Sequence, residues 1–185
     1  MKTDESLLLH ACCGPCTTVV CEQLQMEGFE ITAFFYNPNI HPWKERERRL
    51  QALKDYADSN EIPLEIDEEY PLEENIRMLL DSDNRCYACF EDRLSATAAR
   101  AAERGIETFS TTLSVSPYQN QAFIMSAGKI AEKKSGVRFV YRDFREFYNE
   151  SIRISREAGM YRQPYCGCVF SERDRYLKLK SPGQI

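Results

Sequence analysis

Nowhere does the chain offer the roughly 18 consecutive apolar residues that a membrane-spanning helix requires. Lys2 to Ser6 is polar and the apolar run after it, Leu7 to Leu9, is only three residues long, so no secretory leader is expected. A glycine-rich phosphate loop is also missing: the first strand-to-helix turn holds Gly14 alone among cysteines, which weakens any ATP-using reading. Internal repeats, linkers and low-complexity tracts are absent, so residues 1–185 are expected to form a single domain. Positive charge is in deficit, with 24 Lys plus Arg against 29 Asp plus Glu for a net charge of -5, which argues at first against a polyanionic partner. These absences leave a cytoplasmic globular protein, and its 43% hydrophobic content is enough for a core without disulfides. In that compartment structural disulfides are rare, and clustered cysteines more often bind metal or exchange electrons.

The charge is unevenly placed. Residues 129–180 carry 13 Lys plus Arg against 7 Asp plus Glu, whereas residues 1–128 carry 11 against 22. A basic C-terminal third can give an acidic protein a local nucleic-acid footprint, although ordinary solvated helix faces would look the same.

Strand and helix signals alternate along the chain. Leu7 to Ala11 reads as a strand, Pro15 to Glu27 as a helix stopped by Gly28, and Ile31 to Tyr36 as a second strand, which together make a βαβ unit. The pattern continues with a helix over 42–60, a strand over 63–66, a helix over 72–80 and a helix from Arg85 to Arg104. After these come a strand from Thr108 to Leu113, a helix over 118–134, a strand over 137–141, a helix over 146–158 and a basic helix over 171–180. The expected architecture is an α/β fold, an open parallel sheet with helices on both faces. Ligands of such a sheet sit outside the carboxyl ends of its strands.

Seven of the eight cysteines fall in three clusters: Cys12, Cys13 and Cys16; Cys86 and Cys89; Cys166 and Cys168. The first lies at that carboxyl edge, where a helix N-terminus favours thiolate over thiol. Cys86 and Cys89 would share one face of a helix's first turn. Four thiolates complete either a cubane iron-sulfur cluster or a structural zinc. Cys13-Gly14-Pro15-Cys16 alone also matches a thioredoxin-like dithiol, but that chemistry has no use for five further clustered thiols. Cys166 and Cys168, one Gly apart, can ligate metal or close a short, easily reduced disulfide. Cys21, beside Val19 and Val20, reads as a small core hydrophobe.

The stretches His10-Ala11-Cys12-Cys13-Gly14-Pro15-Cys16, Phe35-Tyr36-Asn37-Pro38-Asn39-Ile40, Cys86-Tyr87-Ala88-Cys89, Phe109-Ser110-Thr111-Thr112-Leu113 and 161–170 together resemble the QueH family of cobalamin-independent epoxyqueuosine reductases. The likeness runs from about Leu7 to Arg175. It implies a HUP-like, Rossmann-like fold and the last step of queuosine synthesis, in which the epoxide of the modified anticodon base of tRNA is reduced to an alkene with loss of water. The resemblance also implies a 4Fe-4S cluster on Cys12, Cys13, Cys86 and Cys89, with a further iron beside it. Cys166 and Cys168 are then the redox-active pair or ligands of that iron, and Cys16 is an additional candidate metal ligand. An electron donor, protein or small reductant, is required.

An anticodon loop is single-stranded, so its bases would be stacked on aromatic rings and its phosphates held by guanidinium groups. Tyr118, Tyr161, Arg162 and Tyr165 are the loop candidates, with Arg138, Arg142, Arg145, Arg173 and Arg175 in the basic third. Asn37, Thr111 and Thr112 end strands and can hydrogen-bond the modified base or merely satisfy turns. His10, Tyr161 and Tyr165 are candidate proton donors, His10 being equally readable as a structural histidine. Two other classes stand beside it: a zinc-stabilised tRNA-binding module, which would use the same thiols and basic third, and an ATP-using HUP enzyme such as a tRNA thiolase, weakened by the missing phosphate loop.

Overall fold

The structure, a computed structural model, describes residues 5–177. Five parallel strands lie in the order β3-β2-β1-β4-β5: β1 (Glu5–His10), β2 (Phe29–Phe35), β3 (Leu64–Ile66), β4 (Thr108–Thr111) and β5 (Arg138–Phe139). The helices are α1 (Gly14–Met26), α2 (Trp43–Ser59), α3 (Leu72–Asp81), α4 (Arg85–Glu103), α5 (Gln121–Ser135), α6 (Tyr148–Glu157) and α7 (Val169–Tyr176).

Side chains alternate across a strand, and both faces of β1 are apolar because both are covered. Leu7 and Leu9 enter one core with α1, α2 and the Phe144–Ile154 region; Leu8 enters the other, with Phe90, Leu94, Ile124 and Phe139 from the α4–α5 side. β1 is central, so the chain winds outward through β2 and β3 and then crosses back to β4 and β5. The reversal creates a switch point between β1 and β4, where α/β sheets open a crevice.

Several element ends differ from the sequence expectation, each for a local reason. β4 stops at Thr111, whose hydroxyl accepts the Leu113 N–H and bends the chain into a 3-10 turn over Thr112–Val115. α5 begins at Gln121, three residues late, because Asn120 caps it by accepting the Phe123 N–H. The last helix begins early, at Val169, after Cys168, whose sulfur accepts the Ser171 N–H; its expected end at Lys180 lies outside the described residues.

One glycine fixes how the cysteine turn meets its neighbour. A Cβ on Gly14 would lie 2.6 Å from the Ala52 carbonyl oxygen of α2, a backbone atom that cannot step aside. Gly14→Ala should therefore destabilise the fold by about 1–3 kcal/mol through overpacking, outweighing the 0.5–1 kcal/mol or so that Ala gains over Gly within a helix. Urea unfolding measures it, and unchanged stability would refute this close approach.

Candidate functional site

Chain reversals after β1, β2 and β4 meet at the carboxyl edge of the sheet and open a cleft of about 520 Å³. The first reversal carries the thiols. Cys13 is extended and starts α1, with Pro15 in the first turn, where the helix has no use for its missing N–H. This brings the sulfurs of Cys12, Cys13 and Cys16 all within 4.8 Å of one another.

Such a set suits a single anion. Cys12 is held well below the usual thiol range because the thiols of Cys13 and Cys16 hydrogen-bond to it, against the opposing effect of burial. Burial raises Cys13, and donation to Cys12 raises Cys16. Thr112 completes the arrangement: its hydroxyl accepts the Cys12 N–H at 3.1 Å and donates to the Cys12 sulfur at 3.3 Å. A thiolate with two further sulfurs converging on it is a donor set suited to a thiophilic metal or an iron-sulfur corner.

The opposite wall is the loop 160–168, and α2 holds it. Arg49, 1% exposed, donates Nε to Glu45 at 2.8 Å, Nη1 to the Cys166 carbonyl at 2.6 Å and Nη2 to the Tyr165 carbonyl at 3.0 Å. The Tyr161 hydroxyl donates to the other Glu45 oxygen and the Tyr165 hydroxyl to the His41 carbonyl. Gly167 lies tight against Asn39, Ile40 and Arg49.

Of the expected site residues, Cys12, Cys16, Cys166, Asn37, Thr112 and Tyr118 line the cleft, as does Tyr165. Asn37 donates Nδ2 to the Ala11 carbonyl, and its buried Oδ1 has no partner among the described residues. Tyr118 is 84% exposed and packs edge-on to Tyr148 at the rim. Cys86 and Cys89 are outside the converging thiol group; both are raised first by burial, then by the neighbouring Cys166 and Cys168. All eight cysteines are free.

Other candidates are committed elsewhere. Thr111 hydrogen-bonds the His10 ring and caps the 3-10 turn, so its hydroxyl is spent. His10 is fully buried, Nε2 faces the Tyr36 carbonyl at 3.1 Å, and burial lowers its pKa to about 4. With Nε2 as donor and Nδ1 as acceptor, His10 is a neutral structural histidine and supplies no proton. Tyr161 faces α2 rather than the cleft, and Arg162 is exposed beside it. Within the basic third, Arg138, Arg142, Arg145 and Arg173 are paired with Glu5, Glu27, Asp143 and Asp174, whereas Arg175 lines the cleft.

Sequence reasoning missed Arg49, Glu45, Arg93, Gln119 and Gln163. Gln163 donates to the Cys13 sulfur at 3.0 Å and Gln119 to the Cys166 sulfur at 3.2 Å. The i,i+4 spacing of Glu45 and Arg49 was the available signal; nothing marked the glutamines.

A parallel α/β sheet whose switch point gathers cysteines defines a thiol-centred protein on a Rossmann-like frame. The U34-tRNA thiolase NcsA from Methanococcus maripaludis with its 4Fe-4S cluster shares that HUP-like fold, at 13% identity and a TM-score of 0.54 over 95% of this chain and 65% of that one. The family model described as epoxyqueuosine reductase QueH matches residues 7–174. The epoxyqueuosine reductase QueH of Dehalococcoides mccartyi is 40% identical over 177 residues, 95% of this chain and 97% of the relative. That of Thermotoga maritima is 38% identical over 183 residues, 94% and 93% of the two chains. The chain belongs to the epoxyqueuosine reductase QueH family.

Removing one member of a buried ion pair strands the other charge, so Arg49→Met should cost about 3–5 kcal/mol in urea unfolding. It should also make the 160–168 loop more sensitive to protease under native conditions. Glu45→Gln added to Arg49→Met should recover part of the loss; no recovery would mean that the pair is not the element that holds this wall.

Proposed function

We propose that this epoxyqueuosine reductase reduces epoxyqueuosine to queuosine in the anticodon loop of tRNA, at the cleft between the Cys12–Cys16 turn and the 160–168 loop. The observation that carries the reading is the convergence of the Cys12, Cys13 and Cys16 sulfurs within 4.8 Å of one another beside the cleft. The reaction takes one epoxide, two electrons and two protons to an alkene and water, with the electrons coming from an external donor. Cys12, Cys13, Cys86 and Cys89 would hold a 4Fe-4S cluster, and Cys16, Cys166 and Cys168 would serve a further iron or a redox-active thiol pair. Bound there, such a group would supply one-electron transfer and a Lewis-acidic site for the departing oxygen.

The chain's own groups do the rest. Asn37 Oδ1 accepts a hydrogen bond from the modified base, and Thr112 holds the Cys12 thiolate by its hydroxyl and keeps the turn in place. Tyr118 stacks on a splayed base of the loop, as single-stranded nucleic acid recognition requires. Arg162 and Arg175 meet the phosphates. Tyr161 and Tyr165, their hydroxyls donated to Glu45 and to the His41 carbonyl, keep the wall in place. Protons enter as water through the open cleft. The absence of a membrane-crossing helix among the described residues agrees with a tRNA-modifying enzyme of the cytoplasm.

Anaerobically purified protein should contain about four or five irons and about four sulfides per chain, and should convert epoxyqueuosine in tRNA when given a reductant. Zinc instead of iron, with tRNA bound but no epoxide lost after reconstitution, would sink the reductase chemistry and leave a zinc-stabilised binding module. Cys12→Ser and Cys89→Ser should each lower iron content and abolish turnover. Tyr118→Ala should raise KM for tRNA about tenfold, as expected for one lost base stack, while kcat stays unchanged.

A further inference from the structure

One buried charge in the cleft has no assigned purpose. Arg93 is 2% exposed on α4, one turn beyond Cys89, and it lines the cleft. Its Nε donates to the Cys89 carbonyl at 3.2 Å and its guanidinium lies 5.7 Å from the Phe90 ring centre. Nη2 is buried and has no hydrogen-bond partner among the described residues. Asp92, the adjacent carboxylate in sequence, accepts from the Tyr36 hydroxyl at 3.4 Å instead. No carboxylate pairs with Arg93 among the described residues. Arg49, the other buried guanidinium of the cleft, is neutralised by Glu45.

A buried guanidinium cannot shed its proton, and an unpaired buried charge is costly unless anions surround it. Arg93 lines the same cleft as Cys12 and Cys166 and donates to the Cys89 carbonyl. Those three residues come one from each cysteine cluster. Arg93 therefore brings a single positive charge to a place that all three clusters border.

We infer that Arg93 is a positioning residue for electrons, a fixed and otherwise unneutralised positive charge that favours the more negative oxidation state of whatever the three cysteine clusters hold. The inference rests on the iron-sulfur reading above. In the step concerned, one electron from the reductant enters, no bond is made or broken, and the site gains one negative charge. The cation lowers the cost of that gain because screening by water is weak in a buried site.

The test is redox titration of the anaerobically loaded protein, with iron counted in the same samples, for wild type, Arg93→Met and Arg93→Lys. Met keeps length without charge. Lys keeps the charge without the planar fork that spans the Cys89 carbonyl and the Phe90 ring. Arg93→Met should shift the midpoint potential more negative by at least the equivalent of a tenfold change in the one-electron equilibrium, about 59 mV. Arg93→Lys should stay near wild type even if both variants melt earlier. Loss of iron from the Met variant alone supports the same charge dependence. Loss from both variants, an unmoved potential in iron-replete Arg93→Met, or equal shifts in Met and Lys overturns it. Wild-type protein that takes up no iron overturns the cluster reading and this inference with it, and is recognised before any variant is made.

Discussion

The cleft depends on one buried ion pair. Glu45 and Arg49 sit a turn apart on α2, nearly without exposure, and between them they use every donor and acceptor in reach to hold the carbonyls of Tyr165 and Cys166 and the hydroxyl of Tyr161. Removing both charges from water is expensive, and such a pair persists in a fold only when its remaining valences are filled. Here they are filled by the backbone of the cysteine-bearing loop. The other ties of the 160–168 stretch are single hydrogen bonds, among them the Tyr165 hydroxyl on the His41 carbonyl and Gln163 on the Cys13 sulfur.

The thiol turn itself owes its position to topology. A central β1 with its neighbours wound in opposite directions leaves the carboxyl ends of β1 and β4 side by side. That puts Thr112 against Cys12 and the His10 ring against Thr111, two contacts between residues about a hundred positions apart in the chain. Burial keeps the His10 ring neutral beside the sulfurs, and the neighbouring thiols of Cys13 and Cys16 lower Cys12.

Elements and their order were legible from periodicity and punctuation. The run Leu7–Leu9 marked a strand buried on both faces, and Gly28, Gly105 and Gly159 marked three helix stops, each with a positive φ in the structure. Ends set by side-chain caps, such as Asn120 and the Thr111 bend, were legible only in part, because the same residues could end a strand, cap a helix or satisfy a turn. The three cysteine clusters and Asn37, Thr112 and Tyr118 were visible as residue types at strand ends and in turns. What stayed hidden were groups whose role comes from burial. Arg49 and Arg93 look like solvated helix charges until the fold turns them inward, and a glutamine carries no signal that it faces a sulfur.

Because Gly14 presses the thiol turn onto Ala52, and Arg49 hooks the loop, a single helix serves as the mount for both walls of the cleft. The remaining rim is built from Tyr118 and Gln119 in a turn and Arg175 on the short α7. A substitution on the face of α2 that carries Ala52 and Arg49 therefore reaches both cysteine-bearing segments at once, although they stand at opposite ends of the chain.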